Sequence, residues 1–393
     1  MLARAALEPR PEGPLGVAVS GGGDSMALLD LLLSENIAVE VATVDHGLRP
    51  ESAAEAAMVA RFCAARGVPH ETLYWTWDGQ GNLAAAARDG RRAALAAWAK
   101  ARGIKAIALG HTAEDQAETL LMNLARGSGV DGLAAMPPRL KRDGLLWLRP
   151  LLGARRAELR TYLQSKNITW ADDPGNDDPG QRRIQTRQAI AALDLDVPRL
   201  ARTAARMAGA RESLIWAEAE LAARTLTQHP FGTITLDRQG LNAAPRDLRQ
   251  RLVARVLRHI SGAAYRPRLE DLGRVLSGET RQTLGGVVIT HRPETLAFDR
   301  EFAHVPDPVP AETGAIWDGR WQYLGPTRPG QHLAALGESG LKALPDWRES
   351  GASRIALLSA PGLWDTITLV AGPMPAAEAE EGIFRVISPE IHP

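Results

Sequence analysis

Five residues suited to a buried strand, Leu15 to Val19, break into Ser20-Gly21-Gly22-Gly23-Asp24-Ser25 and then into an apolar helical pattern from Ser25 to Ser34. Three consecutive glycines between a strand and a helix narrow what the chain can build. Without Cβ atoms the backbone can bring N–H groups against a ligand's oxygens, and the helix behind adds the positive end of its dipole. A phosphate is the natural occupant of such a loop. The segment has no Gly-Lys-Ser/Thr, so it is not a Walker loop, and it lacks the Gly-x-Gly-x-x-Gly spacing of dinucleotide folds. Asp24 adds a further constraint. A carboxylate among phosphate-binding amides repels its ligand unless a divalent cation bridges them, which implies Mg²⁺ bound to Asp24 through a pyrophosphate. Ser20 and Ser25 offer hydroxyls to the same oxygens. A glycine turn that merely caps a helix is the bland alternative, and the order strand, loop, helix weighs against it.

Downstream, short β-rich runs alternate with helical patterns. Strands are expected at Ile37 to Val44, His70 to Trp77 and Lys105 to Leu109; helices are expected at Ser52 to Arg66, Leu83 to Ala101 and Ala113 to Arg126. This alternation predicts an α/β fold with a doubly wound parallel sheet, in which ligands sit beyond the carboxyl ends of the strands. A Pro/Gly-marked stretch from Met136 to Gly153, a helix near Ala154 to Lys166 and a polar loop from Asp172 to Gln181 follow. Beyond Leu193 the pattern turns helical and arginine-rich, with helices at Arg199 to Leu226 and Arg246 to Ser261, then a β-rich segment around Gln282 to Thr290. Residues Pro306 to Pro310 read as a linker before a small β-containing domain. The expected division is a catalytic domain at 1–192, a mainly helical domain at 193–305 and a small domain at 312–393.

Charge separates these parts although the whole chain is neutral. Residues 1–138 carry 12 basic and 16 acidic side chains, residues 139–275 carry 25 and 15, and residues 276–393 carry 9 and 15. The basic middle points to a polyanionic partner, although any single arginine there is best read as a solvated helix face. The one cysteine, Cys63, reads as core, which excludes disulfide-linked partners and cysteine metal clusters. No apolar run is long enough to cross a bilayer, and the first residues lack the apolar core of a signal peptide, so a cytoplasmic location is expected.

Further motifs sit at the predicted strand ends. They are Val44-Asp45-His46-Gly47-Leu48-Arg49-Pro50-Glu51-Ser52; Gly81-Asn82-Leu83 with Ala87-Arg88; Gly110-His111-Thr112-Ala113-Glu114-Asp115-Gln116-Ala117-Glu118-Thr119; Asn123 to Gly129; Arg149-Pro150-Leu151-Leu152; and Asp173-Pro174-Gly175-Asn176 with Arg183 and Arg187 beyond. His111, Asp115 and Glu118 are spaced i, i+4 and i+7, which would put them on one helical face above the loop. An isolated acidic pair is usually a solvated surface, but beside a phosphate loop the functional reading is favoured.

The loop resembles that of the PP-loop ATPases, which split ATP between the α and β phosphates. The remaining motifs, with Thr283-Leu284-Gly285-Gly286 and Trp317-Asp318-Gly319-Arg320-Trp321, resemble one branch of them, the tRNA(Ile)-lysidine synthetases. The resemblance reaches through most of the chain. It implies that ATP, Mg²⁺, L-lysine and an isoleucine tRNA with a CAU anticodon are the ligands. It also implies that Ser20, Gly21, Gly22, Gly23, Asp24, Ser25, Asp45 and His46 bind the nucleotide. Asp24, Arg88, His111, Asp115 and Glu118 would carry the chemistry, with Arg183 and Arg187 at the substrate edge. The sequence departs from the family pattern at Arg182-Arg183-Ile184, where asparagine is usual, which weakens the assignment of those two arginines. Three other readings stay open: a tRNA thiolase, an amidotransferase of the same fold, and a nucleotide-sensing RNA binder without catalysis. The first two are short of cysteines, and the third has little need of carboxylates beside phosphates. Oligomeric state is not legible.

Overall fold

The computed structural model describes residues 2–9, 11–47, 51–77, 79, 81, 83–171, 182–373 and 383–387. The expected loop 172–181 with Asp173-Pro174-Gly175-Asn176, the segment Leu48-Arg49-Pro50 and Asn82 lie outside the described residues. The chain divides into two compact units, Met1–Arg211 and Glu212–Pro393.

The first unit runs α1 (Arg4–Leu7), β1 (Leu15–Ala18), α2 (Gly23–Ser34), β2 (Val39–Asp45), α3 (Glu51–Ala64), β3 (His70–Tyr74), α4 (Leu83–Ala101) and β4 (Ala106–Leu109). It continues through α5 (Ala113–Leu124), α6 (Val130–Leu133), β5 (Arg139–Arg142), β6 (Leu145–Leu148), α7 (Arg156–Ser165), α8 (Arg182–Ala192) and the first part of α9 (Val197–Thr225). Its six strands are ordered β3-β2-β1-β4-β6-β5. All pair in parallel except β5, which joins β6 as an antiparallel edge hairpin. The strand order reverses at β1, so the glycine loop leaves the sheet at the crevice where doubly wound sheets bind ligands.

Both faces of β1 are buried, as a central parallel strand requires. On one face Val17 and Val19 meet Met26, Leu28, Leu29 and Leu32 of α2, Val59 and Cys63 of α3, and Leu159 and Leu163 of α7. On the other, Ala18 and Ala42 meet Leu95, Trp98 and Ala99 of α4 with Ile107 and Trp147. Each fully buried Leu or Met contributes about 1.5–3 kcal/mol relative to exposure. Together these layers fix the heights of the strand ends from which the polar motifs project.

Three local features differ from the sequence expectation. The Pro/Gly-marked stretch Met136 to Gly153 contains the β5–β6 hairpin, whose turn is made by Asp143 and Gly144 at positive φ. Residues Arg182–Ala192 form α8, which buries only Ile184 and so has no apolar stripe to announce it. His111 precedes α5 rather than riding on it, because Thr112 is the N-cap.

The second unit contains β7 (Leu226–Gln228), β8 (Ile234–Asp237), α10 (Arg238–Ala243), α11 (Arg246–Ser261), α12 (Leu269–Ser277), β9 (Gln282–Leu284), β10 (Val287–His291) and β11 (Thr295–Arg300). These strands make an antiparallel sheet in the order β7-β8-β11-β10-β9, packed on α11 and α12. Then come β12 (Val309–Pro310), β13 (Ile316–Trp317), β14 (Trp321–Tyr323), β15 (Gln331–Ala335), α13 (Gly337–Ala343), α14 (Arg354–Ser359), β16 (Pro361–Asp365), β17 (Thr368–Ala371) and β18 (Phe384–Val386). They form two further small sheets around Trp317, Trp321 and Tyr323. The proline-dense segment thus ends in a two-residue strand. Asp318, itself buried, pairs with Arg300 and Arg320 within this unit. No helix among the described residues is long and apolar enough to cross a membrane.

Candidate active site

The starts of α2, α5 and α7 converge, and each brings a charged side chain: Asp24, Asp115 and Arg156, the last within reach of the first two. Gly21 opens the loop at φ +90°, in the left-handed region that favours glycine. Within the loop the Ser25 hydroxyl donates to the Gly22 carbonyl at 2.9 Å, and the Ser20 N–H donates to Ser25 Oγ at 3.2 Å. Ser25 therefore spends its one proton on shaping the loop in this state. Gly110, at the end of β4, lies against the backbone of Asp24 and Ser25: a Cβ there would be 3.0 Å from the Asp24 carbonyl oxygen. The end of β4 is thereby pressed onto the glycine loop.

Asp24 faces this junction. Its Oδ2 accepts from Arg156 Nε at 2.9 Å, while Oδ1 is buried with no hydrogen-bond partner among the described residues. Burial pushes its carboxyl above the usual range, opposed by Arg156. Asp115 Oδ2 accepts from the Thr112 N–H at 2.8 Å and the Thr112 hydroxyl at 3.1 Å, closing a capping box. Its Oδ1 lies 3.8 Å from Arg156 Nη2. Burial works against the Asp115 charge, but His111, the Thr112 N–H, Arg156 and Arg183 outweigh it and hold the carboxyl below its ordinary value. Glu118, one turn on, accepts from Arg187 Nε at 2.5 Å, with Arg183 Nε 3.8 Å from its other oxygen. Its carboxyl is pushed up by burial against the pull of Arg187. The Asp115 and Glu118 carboxylates of α5 are thus driven in opposite directions.

His111 sits in the β4–α5 connection. Burial drives its imidazole down to about 4, against Asp115 and with help from Arg149, Arg91 and Arg183, so the ring is neutral at pH 7. Asp45 and His46 stand on the other side of the loop. Asp45 Oδ1 is committed to the Ser52 hydroxyl at 2.6 Å and the Gly47 N–H at 2.9 Å, which keep its carboxyl low. His46 meets Trp75 edge-on at 5.7 Å. His46 also lines a cavity of about 330 Å³ with Val19, Ser20, Thr43, Glu55 and Arg91. That space begins at the loop and runs along the ends of β1 and β2.

The residues expected from sequence therefore form two clusters flanking one loop. Asp24, His111, Asp115, Glu118, Arg183 and Arg187 make one; Ser20, Asp45 and His46 belong to the other. Arg88 is exposed on α4, near enough to Arg183 for their charges to repel. Sequence reasoning missed Arg91 and Arg156, and it quoted Arg149 within a motif without giving it a role. Arg91 lies one turn beyond Arg88 on α4, so helical spacing could have found it. Arg156 gives no such signal, because only the packing of α7 beside α2 brings it to Asp24.

The donor chemistry of this junction fits Mg²⁺, a hard cation that takes one or two carboxylates and completes its shell with water and phosphate oxygens. Asp24 Oδ1 is a buried oxygen without a partner among the described residues, and the negative charge of Asp115 lies beside it. A phosphate loop at the reversal point of a doubly wound sheet, carrying an aspartate and no lysine, defines the PP-loop class of ATP-using enzymes. The PP-loop domain family model matches residues 2–193. The tRNA(Ile)-lysidine synthase of Ruegeria pomeroyi is 46% identical over 382 residues, covering 94% of this chain and 91% of that protein. Those of Mesorhizobium japonicum and Novosphingobium aromaticivorans are 36% and 39% identical, covering 86% and 76% of this chain and 76% and 93% of theirs. The chain belongs to the tRNA(Ile)-lysidine synthase family and is an ATP-using, lysidine-forming ligase.

Proposed function

We propose that this site adenylylates the C2 oxygen of the wobble cytidine in a CAU-anticodon isoleucine tRNA and then replaces that oxygen with the ε-amine of L-lysine. The codon read would change from AUG to AUA. In the first step the C2 oxygen attacks the α-phosphorus of ATP and pyrophosphate leaves. In the second the lysine nitrogen attacks C2, the C–O bond breaks, and AMP leaves with the oxygen. One observation carries the reading: a phosphate loop bearing Asp24 adjoins two buried carboxylates whose proton affinities are pushed apart.

Such divergence suits the amine step. A free lysine amine titrates near 10.4, so it arrives as an ammonium that must be held and then deprotonated. Asp115, kept anionic, suits the holding. Glu118, whose carboxyl is raised, suits acceptance of the proton, directly or through water. Asp24 would hold Mg²⁺ with the pyrophosphate oxygens, and the ion would supply charge neutralisation for the departing pyrophosphate. The loop amides of Gly21, Gly22 and Gly23 would cradle the phosphates, and the cavity beside Ser20 and His46 would take the adenosine. Arg88 and His111 would face the nucleotide, with Arg183 and Arg187 at the cytidine edge. The arginine-rich segment 193–305 and the segment 312–393 would contact the tRNA, the former through phosphates. We assign the reaction to the cytoplasm.

The test is incubation of the full chain with ATP, Mg²⁺, labelled lysine and the isoleucine tRNA, beside a methionine tRNA with the same anticodon. Label is expected only in the isoleucine tRNA and is lost on Asp24→Ala. Label in neither tRNA, with AMP and pyrophosphate formed on another acceptor, overturns the substrate and keeps the adenylylation.

A further inference from the structure

We propose that Arg156 is the resident cation of the nucleotide-free site and that the nucleotide's divalent cation displaces it from Asp24. The inference rests on the reading that Asp24 holds that ion.

Asp24 and Asp115 are two carboxylates facing one buried junction, and each raises the other's cost of ionisation. The Arg156 guanidinium lies between them, with Nε 2.9 Å from Asp24 and Nη2 3.8 Å from Asp115. It thus sits between the two acids and supplies the positive charge that the junction needs. A guanidinium does not deprotonate in proteins, so it cannot leave by titration. Only a competing cation or a competing anion can move it.

The geometry separates a fixed anchor from a movable charge. The Arg156 backbone N–H donates to Glu114 Oε2 at 3.0 Å, and the neighbouring Arg155 Nε donates to Glu114 Oε1 at 2.8 Å. Glu114 therefore pins the start of α7 by its backbone and leaves the Arg156 side chain attached to Asp24 through one hydrogen bond. Asp24 Oδ1, buried and without a hydrogen-bond partner among the described residues, is the oxygen left for an incoming ion. Once displaced, the guanidinium remains beside the loop as a planar donor suited to phosphate oxygens. The exchange keeps the acidic junction neutralised without nucleotide and turns the same charge toward the phosphates when nucleotide binds. A plain structural tie between α2 and α7 makes a different prediction, because removing a tie does not create a better metal site.

The test is Mn²⁺ binding to the nucleotide-free full chain, read by electron paramagnetic resonance of the free ion. Arg156→Gln is expected to bind Mn²⁺ at least about tenfold more tightly than the parent, since a competing positive charge is gone. Arg156→Lys, which keeps a charge, should stay within about threefold of the parent. Adding Asp24→Asn to Arg156→Gln should abolish the gain. Equal or weaker Mn²⁺ binding by Arg156→Gln overturns the proposal. If that variant does not fold, Glu114→Gln, which unpins the start of α7, is measured instead; tighter Mn²⁺ binding supports displacement and unchanged binding overturns it. Unchanged Mn²⁺-dependent ATP binding in Asp24→Asn alone would instead sink the Asp24–metal reading.

Discussion

Arg187 Nε lies 2.5 Å from Glu118 Oε1, on a side chain only 1% exposed, and Arg183 approaches the other oxygen of the same carboxylate. Two guanidiniums thus guard the group proposed to accept the amine proton. Because the carboxylate stands one helical turn past Asp115 and is paired with Arg187 and Arg183 rather than hydrogen-bonded at Asp24, its loss should spare the phosphate chemistry. Glu118→Gln is expected to retain adenylylation of the tRNA and to slow lysine transfer by about a hundredfold or more, the usual scale for losing a general base. Trapped adenylylated tRNA would be measured on acid gels with labelled ATP. Equal loss of both steps would move Glu118 to the nucleotide.

His111 gives a pH signature with a definite sign. Its imidazole is driven down from 6.5 to about 4 by burial, with the arginines helping. Between those values the unfolded chain binds a proton at this residue and the folded chain does not, so its contribution to stability is intact above pH 6.5 and is lost as pH falls toward 4. Denaturant melts of the parent and His111→Gln at pH 7.5 and pH 5 are expected to differ. The parent should lose about 2 kcal/mol more on acidification. Identical losses would mean that the ring is protonated in the folded state.

What could be read from the sequence is what lies close together along the chain. The loop from Ser20 to Ser25 and the acidic pair on α5 depend on neighbours within a turn or two, and their chemistry follows from residue type and spacing. Arg156 meets Asp24 across 132 residues, and only the pairing of β4 with β6 brings α7 beside α2. The expectation that His111 shares a helical face with Asp115 failed because Thr112 caps the helix with the Asp115 carboxylate itself. The β5–β6 hairpin was hidden by Pro137, Pro138 and Gly144, whose turn signals mask four-residue strands.

Cys63 bears on the thiolase alternative. Its side chain is fully buried in the α3 packing, and burial pushes the thiol up to about 11. A thiol in that state is neither a nucleophile nor a cluster ligand at neutral pH. Cys63→Ala should keep full lysidine formation and cost about 1–2 kcal/mol of stability from lost packing. In the native parent, maleimide labelling at pH 8 should be negligible and should appear on unfolding. Loss of activity in a folded Cys63→Ala protein would reopen cysteine chemistry.

Gly110 offers the sharpest steric test of how the two halves of the site are joined. A methyl group there would stand 3.0 Å from the Asp24 carbonyl oxygen and 3.1 Å from the Ser25 Cα, both backbone atoms that cannot rotate away. Either the loop or the β4–α5 connection must shift by several tenths of an ångström, and both carry site residues. A misplacement of about 1 Å at a preorganised centre can cost about a hundredfold in rate, and a shift of several tenths costs a share of that. Gly110→Ala is therefore expected to weaken ATP binding and to slow adenylylation far more than it lowers the melting temperature. Gly103→Ala is the contrasting substitution: nothing lies within 4 Å of its Cβ, but its φ of +68° makes the change strained wherever it acts. It should lower stability and leave ATP affinity unchanged. Isothermal titration with ATP, beside thermal melts of the two variants, separates the outcomes. If Gly110→Ala binds ATP as the parent does, the contact between β4 and the loop is packing alone, and the convergence of α2 and α5 must be maintained elsewhere.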